Sequence, residues 1–167
     1  TSVCDEYSMQ VFQETVDRIQ SIAMIYDELS DSKNIGRIDL SPYLHNLVAM
    51  LKKTYAAGEH AIEVTASMEA VECDPKRAVS VGLILNELFT NALKYASREG
   101  GVIAVSLTSS GGRSELTVSD NGPGLSAGFD VKNLSSLGLR ISSLLAEEIE
   151  GRLSFETDGG TKAVLRF

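Results

Sequence analysis

One acidic residue lies at a position where a strand would bury it. In "LTVSDNGPGL" apolar and polar residues alternate, and the segment then breaks into glycines and a proline. Because strand side chains alternate between two faces, Asp120 shares the parity of Leu116 and Val118 and is predicted to point inward. A buried carboxylate needs hydrogen-bond donors. The stretch therefore predicts a ligand that supplies them, while Gly122 and Gly124 let that ligand lie against the backbone.

Three further side chains share one stripe of a predicted helix, and this stripe flanks a predicted core stripe of Val81, Ile84, Leu85, Leu88, Phe89 and Ala92. In "LILNELFTNALKYA", Glu87, Asn91 and Lys94 are spaced four and three residues apart, which places them on one helical face. A carboxylate can orient or deprotonate a nucleophile, a carboxamide oxygen is a hard ligand for Mg²⁺, and an ammonium group can meet phosphate. Taken alone, such a set is more often a solvated helix face than a site.

The order of the later motifs favours a purine nucleotide site. Asp120 could accept a hydrogen bond from the exocyclic amine of adenine. Thr161, in phase with Ala163 and Leu165 of the last strand, could add a hydroxyl beside it. A helix that starts near Gly138 would offer free N–H groups and a positive dipole end to phosphates. Each motif is weak alone, and the ordered set is much stronger.

The elements that would position these residues are helices and hairpins. The predicted helices are 9–29, 42–57 capped by Ser41, 75–96 opened by Asp74 and Pro75, and one from near Ser136 to Gly151. The predicted strands are "IDL", "AIEVTAS", a hairpin around Gly111 and Gly112, and a final hairpin across "DGG". Regular βαβ units are absent. We therefore predict an α+β two-layer sandwich, with a mixed, mostly antiparallel sheet covered by helices on one face.

The first helix is apolar on two sides. One stripe comprises Phe12, Val16, Ile19, Ala23 and Tyr26, and the second comprises Ile22, Ile25 and Leu29. A helix with two apolar sides needs two neighbours, so an ordinary core helix and a bundle helix with partners outside this chain are both compatible with the pattern. In the second case the first stripe predicts self-association.

Composition and charge disfavour several classes of function. The 167 residues suffice for one well-buried domain and a short appendage. A net charge of −8 disfavours binding to nucleic acid or to an anionic membrane. Cys4 and Cys73 lack metal-ligand spacing, which favours a reducing compartment. Without a membrane-spanning apolar run, a signal peptide or a starting Met, the chain is expected to be a cytoplasmic piece of a longer protein, which can itself be membrane-anchored.

Four motifs together resemble those of the ATP-binding fold shared by gyrase B, the Hsp90 chaperones, MutL and histidine kinases. "NELFTNALKYA" resembles the N box, "DNGPG" the first glycine box, "SSLGL" a shortened second glycine box and "GGT" the final threonine motif. The resemblance implies a Bergerat-type fold with ATP and Mg²⁺ as cofactors. It implies Glu87, Asn91 and Lys94 as catalytic residues, with Asn91 at Mg²⁺ and Glu87 activating water or orienting the nucleophile. The implied nucleotide contacts are Asn91, Lys94, Asp120, Gly122, Gly124, Leu137, Gly138, Leu139 and Thr161.

The upstream segment carries a narrower resemblance. "RIQSIAMIYDELSDS" followed by "IDLSPYLHNLV" is similar to the second dimerisation helix and the start of the catalytic domain in the HisKA_2 class of sensor histidine kinases. It implies a partial dimerisation and phosphoacceptor segment, 1–35, and a catalytic ATP-binding domain, 36–167. The class carries its phosphoacceptor in an "HRxKNN"-like stretch. His45 and His60 do not match that stretch, so the acceptor histidine is expected on an upstream helix absent from this chain.

The resemblance implies a kinase of a two-component signal transduction system. Such a domain transfers the γ-phosphate of Mg·ATP to the upstream histidine, from which the phosphorelay continues to a response regulator, and it works as a homodimer through the N-terminal helix. Two alternatives stay open: an anti-sigma-type serine kinase or related ATPase of the same fold, and a degenerate, non-catalytic dimerisation scaffold. The short loop from Asn121 to Ser135 predicts weak, exchangeable nucleotide binding.

Overall fold

The computed structural model describes residues 36–55, 62–96, 100–126, 129 and 136–167, together with residues 8, 9, 12, 13, 15, 16, 19, 20, 23 and 27. These last ten are helical, in agreement with the helix predicted over 9–29. Phe12 and Ile19 are 65% and 60% exposed. Several predicted features lie outside the described residues: Ile22, Ile25, Tyr26, Leu29, the end of the second helix at Ala57, and His60.

The described domain is α+β, as predicted. Its elements in chain order are β1 (Ile38–Asp39), α1 (Leu40–Tyr55), β2 (Glu63–Met68), β3 (Glu72–Cys73), α2 (Pro75–Tyr95), β4 (Val102–Ser110), β5 (Arg113–Asp120), α3 (Leu137–Glu148), β6 (Arg152–Thr157) and β7 (Thr161–Arg166). Among these elements, no helix is both long and apolar enough to cross a membrane.

Five strands form the main sheet in the order β2-β4-β5-β7-β6. Strand β2 runs parallel to β4, and the remaining neighbours are antiparallel. Strands β1 and β3 form a separate antiparallel pair. The predicted β4–β5 hairpin is confirmed, and its turn needs glycine because Gly111 and Gly112 have φ of +60° and +78°. The register places Val118 of β5 between Val105 of β4 and Ala163 of β7, which sets the buried face.

The helices cover one face of this sheet. On β5, Leu116, Val118 and Asp120 are buried in alternation, as their parity predicts. The apolar stripe predicted on the long helix is buried throughout, at Val81, Ile84, Leu85, Leu88, Phe89 and Ala92. Periodicity therefore predicted the inner faces of α2 and β5 correctly.

Helices α2 and α3 pack antiparallel. Asp74 caps α2, where its side chain accepts the Arg77 N–H at 3.0 Å, and Pro75 occupies the first turn as predicted. Lys76 Nζ lies 2.8 Å from Glu148 Oε1, and Arg77 Nη2 donates to the Ile149 carbonyl at 3.2 Å. These contacts join the start of α2 to the end of α3. Because α3 has 12 residues and α2 has 21, the start of α3 lies beside the second half of α2 and not at its end.

Two predicted helix ends differ from the observed ones. Helix α1 begins at Leu40, one residue before the predicted cap Ser41. The Ser41 N–H donates to Asp39 Oδ1 at 2.9 Å. Helix α3 ends at Glu148, before Gly151. Glu150, with φ of +58°, is the left-handed residue there. Gly151 is needed for a different reason, since a Cβ at that position would lie 2.7 Å from the Arg166 carbonyl oxygen.

Candidate functional site

Asp120 ends β5 with its carboxylate buried beneath the helices. The residue is 8% exposed. Its Oδ1 accepts the Gly122 N–H at 2.8 Å and the Thr161 N–H at 3.4 Å. Two donors therefore come from the backbone of the protein itself. Within the described residues no donor reaches Oδ2, so that oxygen is the acceptor left for a ligand.

Glycines allow the backbone to close around Asp120. A Cβ on Gly122 would overlap the Tyr95 carbonyl oxygen and lie 2.8 Å from Asp120 Oδ1. A Cβ on Gly160 would overlap the Asp120 carbonyl oxygen and lie 2.9 Å from the Asn121 Cα. The end of α2 and the β6–β7 turn thus both pack directly on the chain around Asp120. Gly122, predicted as a point of ligand approach, is required by this intramolecular contact.

Asn121 extends the pairing between β4 and β5 beyond the end of the strand. Its Oδ1 accepts the Val102 N–H at 2.9 Å, and its Nδ2 donates to the Gly100 carbonyl at 2.9 Å. The Asn121 N–H also donates to the Val102 carbonyl, at 3.3 Å. The residue after Asp120 is therefore held by three hydrogen bonds, a role that the sequence did not indicate.

A cavity of about 440 Å³ opens directly above Asp120. Its lining comprises Leu88, Asn91, Ala92 and Tyr95 from α2, Val118 and Asp120 from β5, Pro123, Gly124, Leu125, Ser126 and Phe129 from the loop, Ser136 and Leu139 at the start of α3, and Phe155, Thr161 and Ala163 from the last hairpin. A pocket of this size and mixed lining suits a cofactor-sized ligand. The structure thus brings together five of the predicted site residues: Asn91, Asp120, Gly124, Leu139 and Thr161.

The three polar residues predicted to share one stripe of α2 differ in their position relative to the cavity. Asn91 lines the cavity, whereas Glu87 and Lys94 are not among the described residues that do so. Glu87 is 8% exposed, so the stripe is not a uniformly solvated face. Lys94 is exposed. The Nδ2 of Asn91 is buried without a hydrogen-bond partner in the described part of the chain.

The start of α3 lies at the rim of the cavity. The helix begins next to Ser136, as predicted, and Ser136 caps it, with its Oγ accepting the Leu139 N–H at 3.3 Å. The first backbone bond of the helix runs from the Arg140 N–H to the Ser136 carbonyl, so the N–H groups of Leu137 and Gly138 have no acceptor within the helix. Leu139 lines the cavity, but Leu137 is 67% exposed and lies outside the lining.

Sequence reasoning did not assign the apolar wall of the cavity, which comprises Leu88, Ala92, Val118 and Ala163. Leu88 and Ala92 were predicted as core residues of α2, and Val118 and Ala163 share the phase of Asp120 and Thr161 on their strands. That phase was an available signal, because residues two positions from an inward polar side chain face the same space. Tyr95, four residues after Asn91 on α2, and Phe155, two residues after the buried Leu153 on β6, carried the same kind of signal, whereas Phe129 in the loop carried none.

Two family matches cover most of the chain. Residues 1–55 match HisKA_2, a histidine kinase family. Residues 76–167 match the family of histidine kinase-, DNA gyrase B- and HSP90-like ATPases. The second match spans more than half of the 167 residues and includes every described residue that lines the cavity.

Curated relatives are longer than this chain. The sensor histidine kinase PdtaS of Mycolicibacterium smegmatis is 27% identical over 168 residues, covering 97% of this chain and 33% of the relative. The blue-light-activated histidine kinase 2 of Erythrobacter litoralis is 28% identical over 155 residues, covering 89% of this chain and 44% of the relative. The chain therefore spans less than half the length of either relative.

Solved structures share the architecture. The histidine kinase domain of the blue-light-activated histidine kinase EL346 from Erythrobacter litoralis has a TM-score of 0.82 and 25% identity, covering 92% of this chain and 74% of that one. The Acinetobacter baumannii histidine kinase AdeS shares the fold at 16% identity, with a TM-score of 0.62 over 95% of this chain and 77% of that one. This chain belongs to the family of histidine kinase-, DNA gyrase B- and HSP90-like ATPases, in which it is a HisKA_2-class histidine kinase ATP-binding domain.

Proposed function

We propose that the cavity binds Mg·ATP for phosphoryl transfer by a sensor histidine kinase of which this chain is the catalytic part. One observation carries the proposal. The buried Asp120 carboxylate has two backbone donors on Oδ1 and none among the described residues on Oδ2, at the base of a cavity of about 440 Å³. An exocyclic amine of adenine would supply the missing donor, and the hydroxyl of Thr161, which also lines the cavity, would lie beside it.

The adenine would be enclosed by the apolar wall, which contributes Leu88, Ala92, Val118 and Ala163. Burial of a planar ring against these side chains supplies affinity, while the Asp120 carboxylate selects for a ring that carries an amine. Gly124 would leave room for the sugar, and the free N–H groups at Leu137 and Gly138 would face the phosphates. The base would thus be recognised by Asp120 and the apolar wall, and the phosphates by the start of α3.

The donor set fits a magnesium ion held mainly by nucleotide. Asn91 lines the cavity, so its carboxamide oxygen would be the protein ligand, and among the described residues no group of three or more His, Cys, Asp or Glu could form a separate metal cage. Mg²⁺ commonly combines one or two protein oxygens with phosphate oxygens and water. When bound, the ion would neutralise charge that develops on the phosphoryl oxygens. Lys94 would add an ammonium group at the rim, and Glu87 would orient the attacking histidine.

The remaining parts of the proposal concern assembly. We assign residues 1–35 to a partial dimerisation and phosphoacceptor segment and 36–167 to the catalytic domain. A homodimer would form through the N-terminal helix, on which Phe12 and Ile19 are 65% and 60% exposed. The acceptor histidine would lie on a helix upstream of this chain, and a response regulator would receive the phosphoryl group in the cytoplasm.

The stability of the phosphorylated residue to acid and to base tests the proposal. The parent protein is incubated with γ-labelled ATP and Mg²⁺, and the label is challenged with acid and with base. We expect an acid-labile, base-stable label that is lost in Asn91→Ala. This chain alone should bind ATP in calorimetry without acquiring such a label.

The same experiment separates the other functions of the fold. An acid-stable label on a partner protein would identify a serine kinase, and phosphate release without any label would identify an ATPase. If neither ATP binding nor labelling is found, a non-catalytic scaffold remains. Each of these three results contradicts the histidine kinase assignment.

A further inference from the structure

Two side chains of strand β6 face the cavity side of the sheet. Phe155 pairs with Ala163 and Thr157 pairs with Thr161 in the register of β6 and β7. Ala163 and Thr161 both line the cavity, and so does Phe155. Because Phe155 and Thr157 are two residues apart, they project from the same face of their strand. The edge strand of the sheet therefore borders the cavity with an aromatic ring and a threonine.

Thr157 contacts the loop that follows Asp120. The Leu125 N–H donates to Thr157 Oγ1 at 3.4 Å. Gly124 has φ of +78°, and a Cβ there would lie 2.8 Å from Thr157 Cγ2. The backbone of these two loop residues thus lies on both the hydroxyl and the methyl group of one side chain.

Phe155 contacts the same loop four residues further on. The rings of Phe129 and Phe155 meet edge to face, with centroids 5.3 Å apart and planes at 67°. Aromatic pairs favour this geometry because the positive edge of one ring meets the negative face of the other. The Phe129 N–H donates to the Ser126 carbonyl at 3.0 Å, which ties the ring to the preceding loop residues.

We propose that Phe155 and Thr157 are positioning residues that anchor the described loop wall of the cavity, Pro123–Ser126 and Phe129, to the last hairpin. Both contacts are made entirely between residues of this chain. A wall that is already ordered does not have to be ordered when a ligand binds, and this raises affinity by reducing the entropic cost. The consequence for retention of nucleotide rests on the proposed function, whereas the anchoring itself does not.

Amide hydrogen exchange on this chain tests the anchoring without nucleotide. Thr157→Val removes the acceptor of the Leu125 N–H with little change of shape, and Phe155→Leu removes the ring contact. We expect exchange at Leu125 and at Phe129, respectively, to accelerate about fivefold. Thr157→Ser and Phe155→Tyr, which keep the hydroxyl and the ring, should restore slow exchange. Glu156→Gln is the matched control, because Glu156 lies between the two residues and pairs with Lys162 on the other face.

Nucleotide release provides the second readout. A fluorescent ATP analogue should dissociate about two- to tenfold faster from Phe155→Leu and Thr157→Val than from Glu156→Gln, with association nearly unchanged. Unchanged exchange at Leu125 in Thr157→Val and at Phe129 in Phe155→Leu would overturn the anchoring. Exchange that accelerates globally, including in the core of α2, would also overturn it, because the side chains would then act on stability alone. Failure of the unmodified chain to bind the analogue would count against the proposed function, and exchange would still decide the anchoring.

Discussion

The two ends of the cavity are built in different ways. Around Asp120, backbone packs on backbone: Gly122 lies against the end of α2, Gly160 lies against Asp120 itself, and Asn121 adds three hydrogen bonds. At the other end, side chains of α2 and of the start of α3 line the cavity, among them Asn91, Ser136 and Leu139. Lys94 is exposed, and Leu137 is 67% exposed.

This difference implies that the two ends of the cavity contribute to nucleotide binding in different ways. The Asp120 end is shaped before any ligand arrives, because backbone atoms cannot move without disturbing β5 and β7. The α2–α3 end presents one carboxamide and two free N–H groups, and a metal ion and phosphates would complete it. Substitutions at the Asp120 end should therefore cost stability or base recognition, while substitutions at the other end should change the dependence on metal and salt.

The largest effect is expected at Gly160. A Cβ there would overlap the Asp120 carbonyl oxygen, so Gly160→Ala should lower the free energy of unfolding by about 3 kcal/mol, the upper end for overpacking. Urea denaturation measures this change. Gly159→Ala is the matched control, since Gly159 has φ of +63° but no atom within 4 Å of an added Cβ, and about 1 kcal/mol of backbone strain is expected there. Equal losses in the two variants would show that the Asp120 end is not tightly packed.

A change of one atom at Asp120 should separate recognition from folding. In Asp120→Asn, Oδ1 can still accept from Gly122 and Thr161, but the cavity-side atom becomes an N–H₂ donor that meets a donor on adenine. A hydrogen bond to a charged group contributes about 1.5–3 kcal/mol, so affinity for ATP should fall roughly 10- to 100-fold. Calorimetry measures the affinity, and Ser119→Ala on the opposite face is the control. ATP affinity that matches the control would remove Asp120 from base recognition.

A metal-dependent effect is expected at Asn91. Asn91→Ala should weaken ATP binding about tenfold in Mg²⁺ and have little effect in EDTA, because the carboxamide oxygen acts only on the ion. The free energy of unfolding should not fall, since the substitution also removes a buried Nδ2 that lacks a partner among the described residues. Titrations with and without EDTA test this. An equal loss of affinity in both conditions would place Asn91 on the nucleotide and not on the metal.

The smallest effect is expected at Lys94. Because its ammonium group is exposed, Lys94→Gln should weaken ATP binding by no more than about fivefold at low salt, and less at physiological salt. The salt dependence of the dissociation constant for ATP is the measurement, with Lys53→Gln on α1 as the control. A loss of affinity larger than that of Asn91→Ala would contradict the expected difference between the two ends of the cavity. It would indicate that Lys94 contacts phosphate directly.

Local sequence determined the elements and the direction of their side chains. The 3.6-residue period predicted the buried stripe of α2, and the two-residue period predicted that Asp120 points inward. Asp74 and Pro75 marked the start of α2, and paired glycines marked the β4–β5 turn. Such features depend on neighbours along the chain, so they can be read without knowledge of the tertiary structure. The motif set also predicted the family, which the comparisons confirm.

Which of these side chains lie close together depends on the tertiary structure. Glu87, Asn91 and Lys94 have the same helical phase, yet only Asn91 lines the cavity, because the packing of α3 and the sheet on α2 selects that part of the stripe. The partners of Gly122 and Gly160, and the contacts of Phe155 and Thr157 with the loop, join residues that are distant along the chain. Periodicity gives the direction of a side chain relative to its own element, whereas the distance between elements depends on how their faces pack.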